Sequence, residues 1–430
     1  MSHPLGVRAR HALGAFGTPL VYSIGAVALG MGLPRLEARF FPDLAAGVSA
    51  SVAIAVLSAI ASGMLPLTGL VFSLAFVMVQ FSATAYSPRL VAWLAGSAMM
   101  SHSLGVFTAT FIYAIAALSW VDRGGTGKVP LLTVWAAIVL LLVSVVFFVM
   151  LVERLGMLQI SRVLAYAGDQ GRAVIERDYA PLGETDPETE KAGPSDELPA
   201  VSQILSHHGG PAVIQAFDLH GLVRLAEREG VVIAMAGAVG DTLADGMPLL
   251  RVHGGARPVP ERRLRRLVRL GAERTFEQDP KYAIRLLVDI AIKALSPAIN
   301  DPTTAVQALD QIEDLLLRLS QRDLSAGRAH DAHGRLRLLF PVPGWEDLLL
   351  LAFDEIRYCG ANSIQVMRRM RALLQDLMEH VPPERQAALR RFLERVDNGI
   401  RRAFDDADDR KDALEEDRQG LGLSRERRQG

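Results

Sequence analysis

The order of apolar and polar positions splits the chain into an apolar first third and an amphipathic remainder. Between Arg10 and Arg35 the only ionisable side chain is His11. A run of about 20 apolar residues there is long enough to cross a bilayer core of about 30 Å as a helix. From Leu44 to Tyr86 there is no charge. As one helix that stretch would be about 65 Å long, so a break is expected around Gly63, Pro66 and Gly69. The bulkier part, 65–86, is then the span. Residues 44–62 form an interfacial or helix-packed lead-in, or an extra span, with Ser51, Ala55, Ser58 and Ser62 sharing a closely packed face. Apolar runs at 103–120 and 129–151 complete the set. Trp93, Tyr113, Trp120 and Trp135 near span ends predict rings at the membrane interface.

The expected fold class is therefore a membrane protein, mainly α, with about four transmembrane helices (13–33, 65–86, 103–120, 129–151) and a soluble α+β region behind them. The transmembrane domain covers 1–155 and a polar helix with an acidic Pro/Gly-rich linker covers 156–200. In the small β-rich module at 201–258, "AVIQAF" and "GVVIAMAGAV" read as strands around a helix at Leu219–Glu227. "VGDTLADGMPLLRV" resembles the hairpin of biotinyl/lipoyl-type barrels, without their modifiable lysine. A helical domain at 259–405 starts with the Arg-rich amphipathic stretch "ERRLRRLVRL". The charged residues 406–430 read as a disordered tail.

Composition changes this picture little. The 430 residues carry a net charge of -1, so no overall basic field attracts nucleic acid. The single cysteine, Cys359, excludes an intramolecular disulfide. His207-His208 beside two glycines reads as a loop and no Cys/His spacing resembles a zinc site; no cofactor and no resident metal are expected.

Candidate chemistry gathers in one region. "DPKYAIRLLVDIAIKAL" has helical period, with Arg285, Asp289 and Lys293 four apart. Ser296-Pro297 ends that helix, and Asp301 with Pro302 caps the next. Arg274, Thr275, Gln278, Asp279, Arg285, Asp289, Ser296, Asn300, Asp301, Thr303 and Thr304 form a dense polar set. A buried hydrogen-bond and ion-pair hub is one reading. A hard-cation site from Asp279, Asp289 and Asp301 with Asn300 and Thr303 is the other. Within the spans, Gln80, with Ser87 and Arg89 just beyond, is the candidate membrane polar site. The spans are otherwise read as free of buried charge.

The segment "RTFEQDPKYAIRLLVDIAIKALSPAINDPTTAVQALDQIEDLL" resembles the hallmark of a bacterial membrane-protein family, the domain of unknown function 2254. "GLVFSLAFVMVQFSATAYSPRL" and "LLLAFDEIRYCGANSIQVMRRM" are similar to other parts of that family. The resemblance implies a multi-pass inner-membrane protein with a C-terminal soluble region, and no particular activity.

Three functions compete: a homo-oligomeric channel- or transporter-like protein with a cytosolic regulatory domain, a non-conducting scaffold or signalling protein, and a metal-dependent enzyme using residues 279–301. The lipid bilayer and further copies of the chain are the expected partners. With four spans and the N-terminus inside, the inside flanks hold Arg8, Arg10, Arg89, Arg154, Arg162 and Arg172. The outside loops hold Arg35, Arg39, Arg123 and Lys128. This bias predicts a cytosolic C-terminal region. A phosphatase reporter fused after Arg402 should be inactive and a cytosolic reporter active; the reverse pattern would refute this topology.

Overall fold

The computed structural model describes residues 5–41, 49–85, 98–121, 129–155, 160–182, 198–324 and 327–421. It divides into two units, 1–159 and 160–430.

The first unit is helical: α1 (Leu5–Phe40), α2 (Ala50–Ala85), α3 (Ala98–Leu118) and α4 (Leu131–Leu155). Each holds a stretch long and apolar enough to cross a membrane: Gly17–Phe40, Ala50–Leu74, Met99–Leu118 and Leu131–Glu153. Helix α3 packs against the other three. Gly30 allows the close approach of α1, since a Cβ there would lie 2.7 Å from the Ala116 methyl group. Large apolar side chains such as Ile24, Phe72 and Leu142 point outward, as lipid contact requires.

Several expectations change here. Helix α2 runs unbroken through Gly63, Pro66 and Gly69, so the lead-in and the span lie on one helix, and its described stretch apolar enough to cross a membrane is Ala50–Leu74. An apolar helix tolerates proline where its surroundings accommodate the missing N–H; two residues on, Thr68 donates to the Met64 carbonyl at 2.7 Å. The packed face of α2 carries Ala53, Leu57, Ile60 and Met64. Ser51, Ala55 and Ser62, expected at a helix contact, are exposed. Tyr113 is buried and donates to the Thr133 carbonyl at 3.0 Å rather than sitting in an interfacial belt. Trp93, Ser87 and Arg89 lie outside the described residues, and for Gln80 only the helical backbone is described.

The spans also hold a buried charge. Glu37 is 5% exposed and accepts from the amides of Leu132 (2.9 Å) and Thr133 (3.2 Å) and from the Thr133 hydroxyl (3.2 Å). These are unpaired donors at the start of α4, where a carboxylate is favoured. Hydropathy counts a charge at the end of α1; it does not show that the charge satisfies another helix.

The second unit joins two sheets to a helical layer. It opens with α5 (Ile160–Asp178), followed by β1 (Val201–Ser206), β2 (Ala212–Phe217), α6 (Leu219–Glu229), β3 (Val232–Met235), β4 (Thr242–Leu243) and β5 (Pro248–His253). Then come α7 (Glu261–Arg266), β6 (Val268–Gly271), α8 (Pro280–Ala294), α9 (Pro302–Ser320), β7 (Arg328–His330) and β8 (Leu336–Leu339). Helices α10 (Trp345–Cys359), α11 (Ile364–His380), α12 (Pro383–Ala403) and α13 (Ala407–Leu414) complete it. The sheets have the orders β1-β5-β3-β8-β7 and β4-β2-β6. Their shared core includes Leu205, Ile214, Phe217, Leu222, Ile233, Leu250 and Leu338.

Strands β6 to β8 come from beyond residue 258, so the β module reaches into the region read as helical. "ERRLRRLVRL" is a helix only to Arg266; β-branched Val268 then pairs opposite Phe217 on β2. Strands β4 and β5 belong to different sheets, so the resembled hairpin does not form. The helix read as polar, at 160–178, has one buried face. Val163, Leu164, Ala167 and Val174 are buried, and α5 packs on α8 and α9. Gly171 permits this: a Cβ there would lie 2.8 Å from Leu315 and 2.9 Å from Ala283. The charged tail also begins in order. Asp406 caps α13 by accepting from Asp408 (2.8 Å) and Asp409 (3.0 Å), and α13 packs on α11.

The Glu37 cap carries a prediction for the first unit. Glu37→Ala should lower its stability by about 1–3 kcal/mol by leaving buried donors without an acceptor, and Glu37→Gln should lower it less. Equal thermal stability of Glu37→Ala and wild type in detergent would refute the cap.

Candidate functional site

The polar set separates in space into a corner, an ion pair and a pocket. The corner joins α8 to α9. Ser296 Oγ donates to the Lys293 carbonyl at 2.7 Å, and the Asn300 and Asp301 amides close back on the carbonyls of Ser296 (2.9 Å) and Ala294 (2.8 Å). Asn300 has φ 49°, the left-handed conformation that Asn tolerates better than most residues. Asp301 accepts from the Thr304 amide at 3.1 Å and the Thr304 hydroxyl at 2.6 Å. Such a cap contributes about 1 kcal/mol. Thr303 is exposed. Ser296, Asn300, Asp301 and Thr304 thus have a structural explanation.

The ion pair ties α8 to α10. Arg285 Nε donates to Asp289 at 2.7 Å and Nη2 to Glu355 at 2.9 Å, and both carboxylates hold its pKa up. Glu355 is the partner that spacing within one helix could not show. Asp289 and Asp301 are each engaged apart from Asp279. Among the described residues no group of three His, Cys, Asp or Glu side chains is placed to hold a metal ion.

The pocket lies beside residues 274–281, of which Gln278, Asp279 and Lys281 line it. Gln278 uses both ends of its amide on one residue of β2: Oε1 accepts from the Phe217 amide at 2.8 Å, and Nε2 donates to the Phe217 carbonyl at 3.0 Å. Phe276 packs edge-on against Tyr166 of α5, with ring centroids 6.0 Å apart, and against Tyr282 of α8 at 4.8 Å. Arg274 Nε donates to the Gly240 carbonyl at 2.9 Å. The motif is thereby held to the sheet on one side and to the helices on the other.

Asp279 sits between these anchors. It is 1% exposed, and neither carboxylate oxygen has a hydrogen bond of normal geometry. Its backbone (φ -122°, ψ 88°) nearly matches that of Asp301 (φ -117°, ψ 82°), and both precede a proline at a helix start. Yet Asp301 caps its helix and Asp279 does not. The third residue differs: Thr304 offers a hydroxyl, whereas Tyr282 offers a ring engaged with Phe276. Burial raises the Asp279 pKa, opposed by Lys281, Arg274 and the first amides of α8. Gly240 leaves room for the carboxylate, since a Cβ there would lie 2.4 Å from Oδ2 and 3.2 Å from the guanidinium carbon of Arg274.

Asp279 lines a cavity of about 300 Å³. Phe217, Leu219, Phe340 and Val342 supply apolar wall, and Asp178, Tyr179, Lys281, Asp323 and Arg328 supply polar groups. Burial, Asp279 and Asp178 raise the Tyr179 pKa, in that order, which keeps the phenol protonated. Asp178 is engaged by Arg177 at 2.8 Å. Of these residues only Gln278 and Asp279 stood among the sequence candidates. Lys281 adjoins the motif and was legible by proximity. Tyr179, Asp323 and Arg328 are too far away in sequence for any local pattern to join them.

Four membrane-crossing helices followed by a soluble α+β unit with a pocket beside the motif define a polytopic membrane protein with a soluble unit. The chain belongs to the family described as "Predicted membrane protein (DUF2254)", whose model matches residues 15–376. It is 28% identical over 368 residues to an uncharacterised protein of Mycobacterium bovis, covering 83% of this chain and 69% of that one. An uncharacterised protein of Mycobacterium tuberculosis matches with the same identity and coverage. No solved structure matches the chain.

A raised carboxylate pKa means that the native state holds the Asp279 proton more tightly than the unfolded chain. The resulting stability is full below about pH 4 and is lost as pH rises through the native pKa. Asp279→Asn removes that loss. It should raise the melting temperature of the full-length protein at pH 8 by about 2–4 °C and give no gain at about pH 4. A gain confined to acid, or a loss at pH 8, would contradict the assignment.

Proposed function

We propose that this protein is a homo-oligomeric, channel- or transporter-like protein of the bacterial inner membrane, regulated by a cytosolic soluble unit that binds a small ligand beside Asp279. The observation that supports a binding role is the cavity of about 300 Å³ lined by Asp279, a buried residue whose carboxylate has no hydrogen bond of normal geometry. An unsatisfied buried carboxylate costs stability, and such costs concentrate at functional sites. The exposed Ser51, Ala55 and Ser62 face of α2 supports assembly, because small residues let helices of neighbouring copies approach closely. The arginine bias supports the cytosolic placement.

The second reading is a non-conducting membrane scaffold or signalling protein. It is favoured by the way polar groups inside the first unit satisfy one another. The Thr110 and Ser144 hydroxyls pair at 2.9 Å, and Tyr113, Thr133 and Glu37 form a closed set. The metal-dependent enzyme ranks last, because Asp279, Asp289 and Asp301 have separate surroundings.

Ion flux through proteoliposomes of the full-length protein tests the proposal. Asp279→Asn and Leu219→Trp, which fills the cavity, should each change flux by about fivefold or more. Equal flux in wild type and both variants would overturn regulation through this pocket. An ion-tight wild type that is correctly assembled would transfer support to the scaffold reading.

A further inference from the structure

We infer that the groove between α6 and α7 is a phosphate site, which takes the diphosphate or phosphomonoester group of a small ligand. It shares no lining residue with the cavity beside Asp279 and does not depend on the function proposed for that cavity. Three observations carry it.

The first is a set of cations without partners. Arg224 and Arg228, one turn apart on α6, line one groove of about 460 Å³ with Arg263 and Arg266 of α7. Of the four, Arg263 has a carboxylate partner, Glu229 at 3.1 Å. Arg224, Arg228 and Arg266 are exposed, and among the described residues none of the three has an ion pair or a hydrogen bond. Elsewhere in this unit Arg285, Arg318, Arg337 and Arg371 each donate to a carboxylate. Like charges one turn apart oppose a helix, so folding does not account for the crowding.

The second is the charge balance. Asp218 and Glu227 also line the groove. Asp218 is engaged as the cap of α6, accepting from the Gly221 amide at 2.8 Å. Four guanidiniums thus share the groove with two carboxylates, one of them occupied. A phosphomonoester or diphosphate brings about two or more charges and several acceptor oxygens, which suit forked guanidinium donors better than a single carboxylate does. Among the described residues no aromatic ring lines the groove, so the bases of a nucleic acid have nothing to stack on.

The third is the way the walls are held. Arg265 Nη2 donates to the Ser206 carbonyl at 2.9 Å, and Leu264 is buried, which fixes α7 on the sheet. Gly221 lets Leu267 lie against α6, since a Cβ there would be 2.6 Å from the Leu267 side chain. The arginines of "ERRLRRLVRL" therefore divide between two tasks. Arg263 and Arg265 hold the fold, and Arg266 is left to the groove.

Calorimetry of the full-length protein in detergent with pyrophosphate tests this, with sulfate and soluble dihexanoyl phosphatidic acid as comparison ligands. Pyrophosphate should bind about tenfold more tightly than sulfate. Arg224→Gln, Arg228→Gln and Arg266→Gln should each weaken pyrophosphate by about three- to tenfold. None of them should lower the ligand-free melting temperature, because none removes a partner. Arg251→Gln, at an exposed position of β5 outside the groove, should leave the affinity unchanged. If phosphatidic acid binds more tightly than pyrophosphate and the same variants weaken it, the site stands and the phosphate is that of a lipid headgroup. If it binds more weakly, the site stands and the ligand is soluble. The inference falls if pyrophosphate does not bind at millimolar concentration, or if the three groove variants bind it as wild type does. It also falls if Arg251→Gln weakens it equally, or if a single-stranded oligonucleotide binds more tightly than either phosphate ligand.

Discussion

One side-chain amide couples the sheets of the second unit to its helices. Gln278 pairs with both backbone groups of Phe217, much as a neighbouring strand would. This happens on the residue where β2 ends and beside the start of α8. Because the amide consumes a donor and an acceptor at once, it fixes the distance and the rotation of the motif relative to the strand. Phe276 then wedges between α5 and α8, and Asp279 is held at the start of α8 without a side-chain capping hydrogen bond. One wall of the cavity follows from this join, since Phe217, Gln278 and Asp279 all line it.

The two Asp-Pro helix starts show how little separates a structural carboxylate from one left to do something else. Their backbones agree within a few degrees. At Asp301 the hydroxyl of Thr304 gives the carboxylate a second donor next to the amide, and the side chain is satisfied. At Asp279 the equivalent residue is Tyr282, whose ring is engaged with Phe276, and burial leaves the carboxylate without such donors. A carboxylate in that state opposes folding at neutral pH. Its surroundings over-determine its position through Gln278, Arg274 and Gly240, which is how a fold retains a group that does not stabilise it.

The membrane unit solves the opposite problem. There the polar groups are paired internally: Glu37 with the start of α4, Tyr113 with the Thr133 carbonyl, Thr110 with Ser144. In a low-dielectric environment an unpaired group of any of these kinds would be costly. Pairing across helices therefore fixes which faces of α1, α3 and α4 meet, while the outer faces stay apolar.

The sequence by itself determined the four apolar segments, the soluble region behind them, the long helices of the second unit up to α12 and the cap at Asp301. Each is written in local spacing, which is what hydropathy, helical period and capping chemistry report. It also contained the Arg285–Asp289 pair at one helical turn. Tertiary structure decided the rest. An unbroken α2 depends on packing that a glycine and proline count does not include. The short strand β6 exists because β2 has an edge to be paired, which overrides the helical spacing of "ERRLRRLVRL". The pocket gathers Asp178, Asp279, Asp323 and Phe340 from segments far apart along the chain. Whether a carboxylate caps a helix, pairs with arginine or is buried without a hydrogen bond depends on which donors the fold brings to it, and a matching Asp-Pro start in the sequence does not say which.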